Sequence, residues 1–180
     1  MSEITDALLV IPPAPLDLLG DPLSFFAADH LRHRTAFAFI EHLANRDTPE
    51  RAAITQALTF LEKDMVAHVL DEEKDLFPLL RRRCEPEDDI DLVLGDLSSE
   101  HTAEERIALD IRGGLRQALE ADCAVAEIAG LKERMLAFAN AETRHLALEN
   151  GIVLPLASAR LTQDDLRDLS RCMIRRRSIG

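Results

Sequence analysis

His68-Val69-Leu70-Asp71-Glu72-Glu73-Lys74-Asp75-Leu76-Phe77-Pro78-Leu79-Leu80 aligns with His145-Leu146-Ala147-Leu148-Glu149-Asn150-Gly151-Ile152-Val153-Leu154-Pro155-Leu156-Ala157. His, Glu and Pro are each displaced by 77 residues. An i,i+4 His/Glu pair projects from one side of a helix, its members offset by about 6 Å along the axis. That offset lets the imidazole cap one metal ion while the carboxylate reaches a second. A proline inside a helix costs about 3 kcal/mol, so its recurrence at the same distance from both pairs is informative. Upstream, Asp29-His30 and Glu100-His101 also correspond, each an acid followed by histidine. The chain therefore reads as two helical hairpins, each supplying a histidine and then an H-x-x-x-E pair, with the ligands converging between them.

Outward from these segments, the apolar residues recur at three and four, the period of helix and not of strand. Asp21 followed by Pro22 is a helix start, and that helix should run to about Asn45. Thr48-Pro49-Glu50 repeats the signal and opens a second helix to about Arg83. Glu85-Pro86 begins a third, to about Ala121, which Gly113-Gly114 are expected to bend or interrupt. A fourth spans Ala124 to Arg160. Thr162 with Asp165 resembles a capping box and opens a short C-terminal helix over 162–177. Pro12, Pro13 and Pro15 make residues 1–20 an N-terminal arm. The expected architecture is all-α: a single domain over 1–180, with an antiparallel up-and-down four-helix bundle over 22–158.

His30, His68, His101 and His145 fall one to each long helix, on stripes otherwise mostly apolar. Leu23, Phe26 and Phe37 flank His30, and Ala57, Leu61 and Leu79 flank His68. Leu94, Leu97, Ala108 and Leu109 flank His101, and Phe138, Ala141, Ile152 and Leu156 flank His145. Residues four, seven and eleven apart share a helix face, so all four imidazoles should enter the bundle interior. A single histidine on such a face is more often a satisfied core residue, and a single H-x-x-x-E a solvated pair. Four on successive helices, two with carboxylates, call for a metal.

Composition sets the class. The chain has 180 residues, 47% apolar and 30% charged, with a formal charge of −12. That sign argues against a nucleic acid or an anionic membrane as partner. The N-terminus lacks a basic region before its apolar stretch, so no export signal is read, and no run is long enough for a membrane span. Three scattered cysteines suggest a reducing compartment, and the cytoplasm is expected. Tyr and Trp are absent, which disfavours tyrosyl chemistry.

The arrangement H…H-x-x-x-E…H…H-x-x-x-E, with Leu76-Phe77-Pro78 after the first pair, resembles the hemerythrin-like (HHE cation-binding) family over residues 22–158. The resemblance implies a carboxylate-bridged non-haem di-iron centre. Its ligands would be His30, His68, Glu72, His101, His145 and Glu149, and an open iron position would accept dioxygen. The oxygen carriers of the family have a second third-helix histidine where this chain has Glu105. Glu105 is thus a seventh candidate ligand, with an exposed helix acid as the alternative. A carboxylate there would favour ferric iron and count against reversible oxygen carriage. Iron is expected, and manganese or zinc also suit the donors.

The resulting expectation is a protein binding dioxygen, nitric oxide or iron, in sensing, storage or stress response, more a metal- and gas-binding protein than an enzyme. A sensor would need a protein partner. The alternative is a small di-iron oxidase or a peroxide- or NO-detoxifying enzyme. Among lesser candidates, His33, one turn from His30, reads as partly exposed, with a supporting or substitute ligand as the alternative, and His42 as surface. Glu142 with His145 forms a single E-x-x-H, too little for a ferritin-like fold. The acids at 71–75 and 85–91 read as solvated faces, and Arg175-Arg176-Arg177 as cations at a helix end.

Overall fold

A computed structural model describes residues 10–178; residues 1–9 of the expected N-terminal arm lie outside it. The described residues are helical with no strand. The first helix, Pro22–Ala44, starts where Asp21 accepts a hydrogen bond from the Ser24 amide at 3.3 Å. The second helical rod covers 51–83, the third helix is Ile90–Ala121, the fourth rod covers 131–160 and the fifth helix is Gln163–Ser178. Neighbours run antiparallel. Arg51, opening the second rod, bonds the Leu119 carbonyl at the end of the third helix, and Arg160, closing the fourth, pairs with Asp88 before the third. The fourth rod packs on both the third helix and the first, closing the bundle.

Two boundaries differ from the sequence expectation. Gly113 and Gly114 do not interrupt the third helix. A Cβ on Gly114 would lie 2.8 Å from a Leu131 methyl, so glycine there permits close approach of the fourth rod. That rod begins at Leu131, not Ala124, because Gly130 takes a left-handed φ of 68° and separates it from the short 3-10 turn Val125–Glu127.

The second and fourth rods are not uniform α-helix. Each contains a wide π-turn that starts at the glutamate of its His/Glu pair: Glu72–Leu76 and Glu149–Val153. The turns close when the Phe77 amide bonds to the Glu72 carbonyl and the Leu154 amide to the Glu149 carbonyl. The next residue is Pro78 or Pro155, which has no N–H to give. Each proline thus sits where the hydrogen-bond ladder is already irregular, and π-turns of this kind gather at functional sites. A third π-turn, Phe60–Asp64, occurs only in the second rod.

Apolar side chains form two clusters. One is built on Phe37, Ile40, Phe60, Met135 and Phe138, the other on Phe25, Phe26, Phe77, Leu94 and Val153. A layer of buried polar groups, His30, His68, Glu72, Glu142, His145 and Glu149 among them, accompanies these clusters in the bundle interior. Leu169 and Met173 of the fifth helix belong to the second cluster. The acids at 71–75 are not simply solvated: Asp71 is fully buried and receives both Arg176 and Arg177, while Asp75 also pairs with Arg176. These arginines fold back to fasten the fifth helix to the second rod, and the Arg177 guanidinium lies 4.7 Å from the Phe25 ring centre.

The Thr162–Asp165 box forms as expected, with the Thr162 amide on the Asp165 carboxylate and the Asp165 amide on the Thr162 hydroxyl. Asp165 also takes Arg82 and Arg83. Bonds from Arg83 and Thr162 hold its carboxyl below the usual range. Asp165→Ala should therefore cost about 1 kcal/mol for the cap and lower the melting temperature near neutral pH. A depressed carboxyl stabilises fully above its unfolded pKa, about 4, and less as pH falls below it. The gap in melting temperature between wild type and variant should shrink in acid; a constant gap would show that the carboxylate charge is not its source.

Candidate metal centre

All four helix-borne histidines are buried, from 1% exposed for His30 to 8% for His101. Their Nε2 atoms face Glu72 and Glu149. Glu72 directs Oε1 to His30 and His68, at 3.7 and 3.5 Å, and Oε2 to His101 at 3.4 Å. Glu149 directs Oε2 to His30 at 3.6 Å and Oε1 to His145 at 2.9 Å. Each carboxylate thus divides its two oxygens between one histidine pair and the other. Two groups result, His30–His68–Glu72–Glu149 and Glu72–His101–His145–Glu149, each with ligand atoms within 4.8 Å of one another. They share both glutamates.

The outer ring nitrogens are held just as systematically. His30 Nδ1 lies 3.1 Å from Asn150 Oδ1, and His68 Nδ1 lies 3.2 Å from Asp29 Oδ2. His101 Nδ1 lies 2.7 Å from Glu73, and His145 Nδ1 lies 2.8 Å from Glu100. An acceptor on Nδ1 fixes the tautomer with its proton outward and leaves the Nε2 lone pair facing in. Every brace comes from a residue adjacent to a site residue on the neighbouring helix. First braces second, second braces third, third braces fourth, and fourth braces first. The acid–histidine dipeptides Asp29-His30 and Glu100-His101 carried half of this signal; Glu73 and Asn150 follow the two glutamates directly.

Burial opposes charge on His68, yet Glu72, Asp29 and Glu149 outweigh it and push the imidazole up to about 10. His145 is likewise raised to about 10 against its burial, by Glu149, Glu104 and Glu72. Burial would raise Glu72, but His68, His101 and His30 hold it well below the usual carboxylate range. Protons and a cation compete for the same imidazole lone pairs.

Glu105 is exposed, lies at the protein surface and belongs to neither group. Its neighbour Glu104 turns inward instead, 5% exposed and 3.8 Å from His145 Nδ1. Glu104 faces Glu142, whose carboxyl is pushed well up by burial and by the Glu104 carboxylate; burial raises Glu104 as well. His33, expected to be partly exposed, is buried at 1%, packed against Phe60 and His68 and 3.5 Å from Asp29. Burial and the neighbouring His68 push its pKa well below the ordinary value. His42 is exposed, as expected. The three cysteines are free and join none of the ligand groups found among the described residues.

A buried carboxylate pair facing four imidazoles, with His30 Nε2, both Glu72 oxygens and Glu149 Oε2 lacking hydrogen-bond partners, is costly unless a cation satisfies it. The residues therefore fit bound metal cations, and the comparison with known families agrees on cation binding. The family model of the hemerythrin HHE cation-binding domain matches residues 21–157, and the chain belongs to that family. No curated protein matches the chain.

Asp29 is the most buried brace, held by Arg32 at 3.0 Å. Asp29→Ala should weaken ferrous-ion affinity by about 10–100-fold, measured by chelator competition on protein whose helical circular dichroism is intact. Glu100→Ala, which removes a half-exposed brace, should weaken it less. Equal affinities across wild type and both variants would show that the braces do not prepare the ligands.

Proposed function

We propose that this is a non-haem di-iron protein that binds a small ligand such as dioxygen or nitric oxide, serving in sensing, storage or stress response. The carrying observation is the division of Glu72 and Glu149 between the two histidine pairs. His30 and His68 would hold one iron, His101 and His145 the other, with both glutamates shared. Glu105 is not in this set. Imidazole and carboxylate donors without thiolate suit iron, and they also accept manganese or zinc. When bound, the iron pair supplies redox chemistry and sites for diatomic ligands.

The chain's own contribution is preorganisation. The braces keep four lone pairs turned inward, and the apolar clusters limit water. Burial raises the carboxyls of Glu104 and Glu142 beside His145, which suits them to carry protons there. That last feature favours a second reading, a small oxidase or a peroxide- or NO-detoxifying enzyme, since reduction of oxygen species consumes protons. Three free thiols suit a reducing compartment, and we place the protein in the cytoplasm.

Metal analysis after anaerobic ferrous loading should give about two irons per chain, as two-metal sites require, with a visible charge-transfer band on exposure to air. Reversal on deoxygenation would indicate carriage; persistence would indicate oxidation. Glu72→Gln and Glu149→Gln should each lose iron. Because His68 and His145 are raised above neutrality, loading should release protons, and apparent affinity should rise with pH up to about 10. Iron content unchanged in both glutamine variants would overturn the assignment.

A further inference from the structure

Between the second rod and the third helix runs an open groove of about 350 Å³, at the small end of the usual ligand-pocket range of about 300–1,000 Å³. Its apolar wall is Met65, Val66, Val69 and Leu70 from the second rod, and Val66 is 44% exposed there. Its buried lining includes His101 and Glu104, so the groove reaches the polar layer. At the inner end Glu104 is already turned to Glu142 and His145, so the polar side of the groove is closed there.

Arg112 also lines the groove. It is half-buried, and no ion pair to a carboxylate is found for it among the described residues. Lys74 lines the groove as a second cation; of the acids in the lining, Glu73 accepts bonds from Ser98 and His101, Glu104 is turned to Glu142, and Glu105 is exposed at the groove edge. In a chain of net charge −12, a half-buried arginine with no ion pair among the described residues, beside an apolar trough, is a place for an anionic group brought from outside. Arg112 follows His101 by eleven positions on one helix, about 16 Å at 1.5 Å per residue.

From this placement we propose that the groove binds a small elongated carboxylate. Its carboxylate meets Arg112, its apolar body lies along Met65, Val66 and Val69, and its far end rests beside His101 and Glu104. The proposal rests on the di-iron reading in one respect: it names the class of substrate or effector presented to the His101–His145 side. Recognition itself needs no metal, because Arg112 and the apolar wall supply it.

Octanoate, octan-1-ol and octylamine, titrated into metal-free and iron-loaded full-length protein and followed by amide chemical shifts and calorimetry, test it. Octanoate should bind both forms, ahead of the alcohol and the amine, and should shift Met65, Val66, Val69 and Arg112. Arg112→Ala should lose at least about tenfold in octanoate affinity, Arg112→Lys should recover part of it, and Val66→Glu should abolish binding while iron loading stays normal. Equal binding of octanoate and octanol, or indifference to Arg112→Ala, would overturn the proposal. Binding only to iron-loaded protein, unaffected by Arg112→Ala, would place the carboxylate on the ions and also overturn it. Failure of the di-iron reading looks different: iron would be absent while octanoate binding and its dependence on Arg112 persisted.

Discussion

Everything in this bundle is arranged around two buried carboxylates. Glu149 is fully buried and Glu72 nearly so, and an ionised carboxyl in such a place is strongly unfavourable unless opposing charge meets it. Four imidazoles provide that charge or the lone pairs to share a cation with it. No helix satisfies the layer alone, since every brace crosses from one helix to the next. Polar complementarity therefore fixes the rotation and height of all four helices together, which apolar packing, being non-directional, would leave looser.

Much of this was legible in the sequence because the features are local and repeated. Asp21-Pro22 and Thr162-Asp165 open helices where they stand, and the 77-residue displacement of His, Glu and Pro marked both site helices. The twin prolines carried more than a register signal: they mark the two π-turns, since each comes directly after the residue whose amide closes one. The third π-turn has no proline and left no comparable trace.

The choice between Glu104 and Glu105 shows where local reading stops. Positions three and four beyond a helical histidine both lie on its side of the helix, and family position favoured Glu105. Apart from Gly114, which meets Leu131, the buried residues of the third helix fall at Ile90, Leu94, Leu97, His101, Glu104, Ala108, Ile111, Leu115 and Ala118. That alternation of three and four includes Glu104 and passes over Glu105, so the apolar stripe held the answer. The burial of His33 and of Asp71 was less accessible. The first depends on Phe60 brought near by the second rod, and the second on arginines more than 100 residues away. Neither partner is visible from sequence spacing.

The ring of braces holds one departure from its own symmetry. Asp29 and Glu100 correspond across the two hairpins, but Glu73 on His101 has Asn150 on His30 as its counterpart. An amide accepts the same hydrogen bond without a negative charge. Arg32 further offsets the charge of Asp29, whereas half-exposed Glu100 pairs with His145 itself and with no arginine or lysine of the described residues. Two residue groups alike in composition therefore sit in unlike fields. The twofold likeness of the hairpins is one of shape, and the interior is polarised along the line joining the histidine pairs.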